Sequence, residues 1–132
     1  MQKQIKITIP FYDLDPMNVV WHGNYVKYME QARCALLSDV GMTYDDMLAN
    51  GVVFPVVTMQ TKYIHPCTFG QVINVIISLV PDDNFLIFKY KITDDNTGKI
   101  LFNAETKQMA VDIETKESLF EIPKQILCKF QG

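Results

Sequence analysis

Cysteines are few in this sequence, and they lie far apart. Cys34, Cys67 and Cys128 form no CxxC pair and no cluster with histidine, and their number is odd. A disulfide framework or a structural zinc site needs matched groups of such residues, so the sequence predicts neither. We expect no metal ion, and a soluble protein of a reducing compartment, the cytoplasm.

Long apolar runs and an excess of positive charge are also missing. No segment approaches the apolar length that spans a bilayer, and the first seven residues alternate polar and apolar side chains, unlike a signal peptide. Twelve basic against fifteen acidic residues give a formal net charge of −3, with no basic stripe. The sequence therefore predicts no membrane insertion and no nucleic-acid partner.

The chain divides into segments of helical periodicity and segments of strand-like periodicity. Residues 4–9 alternate as a half-buried strand, whereas residues 24–40 place apolar side chains on one helical face. Residues 43–51 predict a short helix, with Thr43 as its N-cap and Gly51 at its end. Four strand-like runs separated by turn residues follow: residues 52–64, 72–80, 85–93 and 99–113.

This order of elements predicts a single α+β domain over residues 1–132. Short connections favour antiparallel pairing, and one long helix must cover a sheet of about five strands. A single helix is too small to cover such a sheet completely. We therefore expect a second subunit to close a sheet edge or face, in a homodimer or homotetramer.

The stretch from residue 10 to residue 25 holds the densest group of potential reactants. It contains two carboxylates, Asp13 and Asp15, together with His22 and the only tryptophan, Trp21. Pro16 disfavours a helical conformation at the residue before it and so keeps that residue extended. We interpret Asp13 as structural, bonding the N–H groups of the loop, and take Asp15 as the stronger candidate for chemistry.

Three blocks of the sequence resemble the 4-hydroxybenzoyl-CoA thioesterase-like acyl-CoA thioesterases. The first block joins Asp13-Leu-Asp-Pro to Val20-Trp-His-Gly-Asn-Tyr and Tyr28-Met-Glu-Gln-Ala-Arg. The second block is Tyr63-Ile-His-Pro followed by Phe69-Gly. The third block lies toward the end of the chain and consists of residues 108–112, Thr115-Lys and Ile122-Pro. The resemblance spans almost the whole chain and implies the hotdog fold, in which an antiparallel sheet wraps around one long helix.

The resemblance implies that Asp15, directly before the proline of the first block, is the catalytic carboxylate. It also implies that no cofactor is needed, since coenzyme A enters only as part of the acyl-CoA substrate, and that the sites lie at a subunit interface. The chain departs from the family at Met17-Asn18, where many relatives have small residues such as Ala-Gly. This difference would narrow the pocket or alter its specificity.

Thioester hydrolysis needs an attacking oxygen and a group that stabilises the developing oxyanion. Asp15 would supply the first, either by attacking the carbonyl or by deprotonating a water, and both routes stay open. The first N–H groups of a helix lack intrahelical partners and carry partial positive charge. We expect the substrate oxygen to contact the N–H groups at the start of the long helix, those of His22, Gly23, Asn24 and Tyr25. Gly23 would leave this backbone open to the thioester.

Several side chains near the loop have a structural interpretation beside the functional one. The His22 side chain either assists proton transfer or bonds the loop, and Asn24 is explained equally well as an N-cap. Trp21 and Tyr25 are interpreted as core or pocket wall. Glu30 forms an i,i+3 surface pair with Arg33, although a helix carboxylate serves as the base in some hotdog thioesterases.

Cys34 and Cys67 differ in their predicted burial. Cys34, on the long helix, is interpreted as a small buried hydrophobe, and Cys67 as an exposed residue of its loop. Neither has a neighbouring base in the sequence, so Cys/His catalysis is not expected.

The leading hypothesis is an acyl-CoA thioesterase, and two alternatives remain open. An enoyl-CoA hydratase would need Asp15 and His22 to act as a pair. A binding module for acyl-CoA or acyl-carrier protein, without catalysis, belongs to a different class. The acyl group itself cannot be inferred from the sequence.

Overall fold

The computed structural model describes residues 1–131. Its elements in chain order are β1 (Gln2–Thr8), α1 (Asn24–Asp39), α2 (Tyr44–Ala49), β2 (Val52–Val53), β3 (Val56–Tyr63), β4 (Val72–Val80), β5 (Phe85–Asp94), β6 (Ile100–Met109), β7 (Val111–Asp112) and α3 (Lys124–Gln131). Five strands form one antiparallel sheet in the order β1–β4–β5–β6–β3. The remaining two, β2 and β7, pair as a small antiparallel sheet.

Helix α1 packs on one face of the large sheet because its apolar side chains recur every three or four residues. Its buried residues are Tyr25, Tyr28, Met29, Ala32, Arg33, Leu36 and Leu37. The strands bury alternate residues against this helix, among them Ile73, Val75, Ile77, Phe88 and Phe102. The predicted start of α1 is confirmed, and Gly41 follows its end with a φ of +71°.

The short helix α2 is confirmed together with its cap. The Thr43 hydroxyl accepts from the N–H of Asp46 at 3.3 Å, and the Asp46 carboxylate accepts from the Thr43 N–H at 2.9 Å. This reciprocal capping box satisfies two N–H groups that a helix start otherwise leaves unpaired. Gly51 ends the segment with a φ of +74°.

Two of the four predicted strand runs are interrupted. The run over residues 52–64 divides into β2 and β3 around Phe54-Pro55, because proline has no N–H to donate to a ladder. The run over residues 99–113 divides at Ala110, so that β7 leaves the large sheet and pairs with β2.

The sequence-based prediction also missed α3. Pro123 precedes this helix, and its carbonyl accepts from the N–H groups of Ile126 and Leu127, each at 2.9 Å. Ile126 and Phe130, one helical turn apart, are both buried in the common core. A proline followed by this spacing is the signal from which the helix could have been predicted.

The predicted fold class, α+β with five antiparallel strands and one long helix, is confirmed. Within the part of the chain that the structure describes, no helix is long and apolar enough to cross a membrane.

Candidate active site

Residues 13–21 form a narrow hairpin that leads from β1 to the start of α1. The Asp15 N–H donates to the Val19 carbonyl at 2.8 Å, and the Trp21 N–H donates to the Asp13 carbonyl at 3.0 Å. Asp15 therefore lies at the tip of the hairpin, two positions beyond the Asp13–Trp21 pair, which is about 7 Å along a strand. The residues that follow Trp21 are those predicted to bind the oxyanion.

The tip of this hairpin explains the departure at Met17-Asn18. Asn18 has a φ of +62°, in the left-handed region that glycine adopts freely and that asparagine tolerates better than most residues. Met17 is 81% exposed, so it narrows no cavity within this chain. The two residues complete a turn, and the expected effect on a pocket is not seen inside a single subunit.

The carboxylate of Asp15 has one oxygen engaged and one free. Its Oδ1 accepts from the N–H of Met17 at 2.8 Å and from that of Val19 at 3.4 Å. These contacts form an Asx turn, the structural role that aspartate commonly has before a helix. The second oxygen, Oδ2, has no hydrogen-bond partner within residues 1–131. The turn thus orients the carboxylate and leaves its second oxygen without a hydrogen bond.

Asp13, in contrast, is fully engaged and buried. Its Oδ1 accepts from the Lys27 ammonium at 2.7 Å, and its Oδ2 accepts from the Tyr28 hydroxyl at 2.6 Å. Burial by itself raises the pKa of Asp13, but these two hydrogen bonds together hold that pKa below its usual value. Asp13 is structural, as predicted, although it bonds side chains of α1 and not N–H groups of the loop.

The start of α1 leaves several backbone donors without acceptors. Gly23 is the N-cap and has helical dihedral angles, with φ −68° and ψ −24°. Among the described residues, the N–H groups of His22, Gly23 and Tyr25 have no acceptor, whereas that of Asn24 donates to the Trp21 carbonyl at 2.9 Å. Three of the four predicted donors are therefore free in this structure, and the fourth is occupied.

The Asn24 side chain does not cap α1, so that interpretation is wrong. Its Nδ2 donates instead to the Asp13 carbonyl at 2.9 Å, which ties the helix to the hairpin. Because the same carbonyl accepts from the Trp21 N–H, this contact fixes the distance between the two parts of the site.

Tyr63 contacts the site, and the sequence analysis gave it no role. Its hydroxyl donates to the His22 carbonyl at 3.0 Å, so the end of β3 holds the start of α1. Tyr63 also packs edge-on against Tyr25, which in turn stacks on Phe102 with ring centroids 4.8 Å apart. The only signal in the sequence was its place in the second block of the resemblance.

Trp21 and Tyr25, which were both interpreted as core or pocket wall, are in different environments. Tyr25 is core: its side chain is buried, which raises the pKa of its hydroxyl, and that hydroxyl accepts from the Cys67 N–H at 3.3 Å. Trp21 is 51% exposed and is not core. Its ring lies against Gly23, so the expectation that glycine leaves this backbone open is wrong on the side that the indole covers.

The predicted i,i+3 pair of Glu30 with Arg33 is confirmed, but its surface location is wrong for Arg33, which is buried. Arg33 is only 5% exposed; it pairs with the Glu30 carboxylate and donates to Gln108 on β6 at 3.3 Å. The ion pair engages one oxygen, Oε1, of the carboxylate that was the second candidate for the base. The hydrogen bond from Arg33 to Gln108 joins α1 to the sheet.

The burial predictions for the two cysteines are reversed in the structure. Cys34 is exposed on α1, and Cys67 is completely buried, which raises the pKa of its thiol. Alternate positions along a loop cannot be assigned to inside or outside without knowing what packs on them, and here the hairpin pairs with the Cys67 carbonyl through Val20.

No group of three or more histidine, cysteine, aspartate or glutamate side chains is placed to hold a metal within residues 1–131. The chemistry available at the hairpin is therefore that of one free carboxylate oxygen and the unpaired N–H groups at the start of α1.

An antiparallel sheet that packs around one long helix defines the hotdog class of proteins. Comparison with known proteins agrees: residues 9–130 match the Thioesterase-like superfamily. The chain belongs to this superfamily, and the prediction of a thioester hydrolase is confirmed at the level of the family.

Three similar proteins illustrate the relationship. The Bacillus subtilis protein YneP, provisionally named an acyl-CoA thioesterase, is 31% identical over 112 residues, which cover 83% of this chain and 80% of that protein. The acyl-CoA thioester hydrolase YbgC of Escherichia coli is 26% identical over 127 residues, covering 95% and 92%. The structure of Slr0204, a 1,4-dihydroxy-2-naphthoyl-CoA thioesterase from Synechocystis, has the same fold, with a TM-score of 0.88, 14% identity and coverage of 99% and 96%.

Proposed function

We propose that this protein hydrolyses acyl-CoA thioesters to a carboxylic acid and free coenzyme A, with Asp15 as the reacting carboxylate. The observation that supports this role is the unequal use of its two oxygens. Oδ1 is held by two backbone N–H groups, and Oδ2 has no partner within residues 1–131. A carboxylate that is oriented by hydrogen bonds but has no ion-pair partner is suited to attack a carbonyl or to deprotonate a water.

The oxyanion would be bound by the start of α1. The N–H groups of His22, Gly23 and Tyr25 have no acceptor among the described residues, so they are available to a thioester oxygen. The Asn24 N–H is engaged by the Trp21 carbonyl and would have to exchange that partner in order to take part. The chemistry requires no metal or redox cofactor, and we retain the prediction of a cytoplasmic protein.

The proposed activity predicts release of a free thiol from acyl-CoA substrates. A panel of thioesters that range from acetyl-CoA through medium-chain acyl-CoA to benzoyl-CoA should give saturable thiol release with at least one member. The measurement is the appearance of free thiol with a thiol-reactive dye, together with loss of the thioester absorbance. Acyl-carrier-protein thioesters with the same acyl groups form the second arm of the panel.

The alternatives predict different outcomes in the same panel. A hydratase would remove the double bond of an enoyl-CoA without releasing thiol. A binding module would bind acyl-CoA in calorimetry and release no thiol from any substrate. Either result would contradict the proposal.

We also propose that the protein is a homodimer or homotetramer whose subunits meet at β3. This strand is at the edge of the sheet, paired only with β6, and nearly all of its residues are exposed on both faces. Val56, Val57, Met59 and Tyr63 are between 43% and 47% exposed. An unpaired apolar edge is unfavourable in water and is a surface on which a second copy of the chain can add its own strand.

Met59→Lys is expected to weaken self-association by about tenfold or more, because it places a charge at this apolar edge. Sedimentation velocity over a range of concentrations measures the effect. Thr8→Lys adds the same charge to an exposed position of β1, at the opposite edge of the sheet, and should leave association unchanged. A wild-type protein that sediments only as a monomer would contradict the proposal, as would equal effects of both variants.

A further inference from the structure

The indole of Trp21 lies across Gly23, at the start of α1. A Cβ atom on Gly23 would overlap three carbons of the six-membered ring, Cε3, Cζ3 and Cη2. The His22 ring also lies near the indole, with ring centroids 5.1 Å apart. One side of the ring is therefore packed on the helix start, and the residue as a whole remains half exposed.

The backbone of Gly23 does not by itself require glycine. Its φ of −68° and ψ of −24° are helical, a conformation that any L-residue can adopt. What excludes a side chain here is the indole, which needs the space that a Cβ would fill. Trp21 and Gly23 thus form one structural unit, in which glycine lets the ring approach the backbone.

Among residues 1–131, His22 supplies the only aromatic ring that packs against the indole. The indole N–H has no acceptor among residues 1–131, and the aromatic cluster of Tyr25, Tyr63 and Phe102 does not include the indole. A large apolar ring, in a residue that is 51% exposed, lies beside backbone N–H groups that have no acceptor among the described residues. The exposed part of the ring, its free face, is suited to an apolar group, and the adjacent N–H groups are suited to an anionic oxygen.

We propose that the free face of Trp21 binds the acyl group of the thioester and makes Trp21 a specificity-determining residue. This inference rests on the proposed function, since it places the thioester carbonyl at the start of α1. The acyl chain would then continue over the indole, and chains long enough to cover the ring would bind better than acetyl. Trp21 takes no part in bond making or breaking.

The kinetic test compares a short and a longer acyl group. Trp21→Ala should raise the KM for hexanoyl-CoA by about tenfold, with little change in kcat, because it removes contact area that ground state and transition state share. The KM for acetyl-CoA should change by less than about twofold, since acetyl covers little of the ring. Trp21→Phe should restore most of the hexanoyl preference. An unchanged ratio of hexanoyl to acetyl KM in Trp21→Ala would overturn the inference.

A second test observes the ring directly and does not depend on turnover. Trp21 is the only tryptophan, so selectively excited fluorescence reports on this residue alone. Binding of S-hexyl coenzyme A, a thioether that cannot be hydrolysed, should shift the emission to the blue and reduce quenching by acrylamide. Binding seen by calorimetry with unchanged emission and quenching would overturn the inference, even if the wild type cleaves thioesters. A shift in a protein that cleaves none would retain the Trp21 contact and reject the proposed function, and absence of both binding and cleavage would reject both.

A double-mutant cycle tests the packing of the ring on Gly23. Gly23→Ala should destabilise the wild type in urea denaturation by clearly more than it destabilises the protein in which Trp21 is already alanine. Equal destabilisation in both backgrounds would mean that the ring does not occupy this position in solution, and the inference would fail.

Discussion

Asp15→Asn is expected to lower kcat by about 10²–10⁴-fold, with a much smaller change in KM. Asparagine retains an Oδ1 that can accept from the N–H groups of Met17 and Val19, so the Asx turn at the hairpin tip is preserved. What is lost is the charge and the nucleophilicity of the second oxygen. Because these act at the reacting carbonyl, the loss falls on the chemical step. Steady-state kinetics on the best thioester of the panel measure it.

The chain offers a matched control for this substitution. Asp82 forms the same kind of turn, in which its Oδ2 accepts from the N–H groups of Asn84 at 2.9 Å and Phe85 at 2.8 Å. This turn joins β4 to β5 and is not part of the hairpin. Asp82→Asn should therefore retain wild-type kcat. Full activity of Asp15→Asn on every thioester would exclude Asp15 as the reacting group.

Asp13→Ala is expected to cost about 1–3 kcal/mol of the free energy of unfolding. It leaves the buried hydroxyl of Tyr28 without its acceptor and removes the partner of Lys27, which is itself 46% exposed. Urea denaturation at neutral pH measures the change. In a matched ion pair, Lys3–Asp39 at 2.8 Å, the aspartate side chain is 52% exposed, against 4% for that of Asp13, and Asp39→Ala should cost less than about 1 kcal/mol. Equal costs at the two sites would contradict the structural role of Asp13.

The same residue makes stability depend on pH in a definite direction. The pKa of Asp13 is lower in the folded protein than its ordinary value of 3.8, so the unfolded chain binds a proton more readily. The stabilisation is complete above that ordinary value and is lost as the pH falls through the lower, folded-state pKa. Asp13→Asn should show a weaker loss of stability in this acidic range, measured as the slope of unfolding free energy against pH. A slope equal to that of the wild type would show that folding does not lower the pKa of Asp13.

The features that could be predicted from the sequence are those that depend on near neighbours in the chain. The period of α1, the capping box at Thr43 and the turn at Gly51 are set within one or two helical turns. The same holds for the strand-like runs, bounded by turn residues, that predicted β4 and β5. Two local signals were present in the sequence but were not used in the prediction. Pro55 interrupts the strand run over residues 52–64, and Pro123 starts a helix in a segment for which no element was predicted.

Burial of individual polar residues could not be predicted, because it depends on what packs on them from elsewhere. Arg33 has the spacing of a surface pair with Glu30, yet Gln108, 75 residues away, accepts a hydrogen bond from it inside the core. Cys67 reads as a loop residue, but it is covered where the hairpin pairs with its carbonyl. Long-range contacts of this kind leave no periodic trace in either segment.

By itself, the sequence determined the composition of the site: a carboxylate held extended by Pro16, followed within ten residues by a helix start. Only the tertiary structure decided how these residues are used. It buried Asp13 against Lys27 and Tyr28, left one oxygen of Asp15 free, and placed the Trp21 ring over Gly23. The physical reason is that local chemistry specifies which groups a loop contains. Which of those groups remain without partners depends on the elements that pack against the loop.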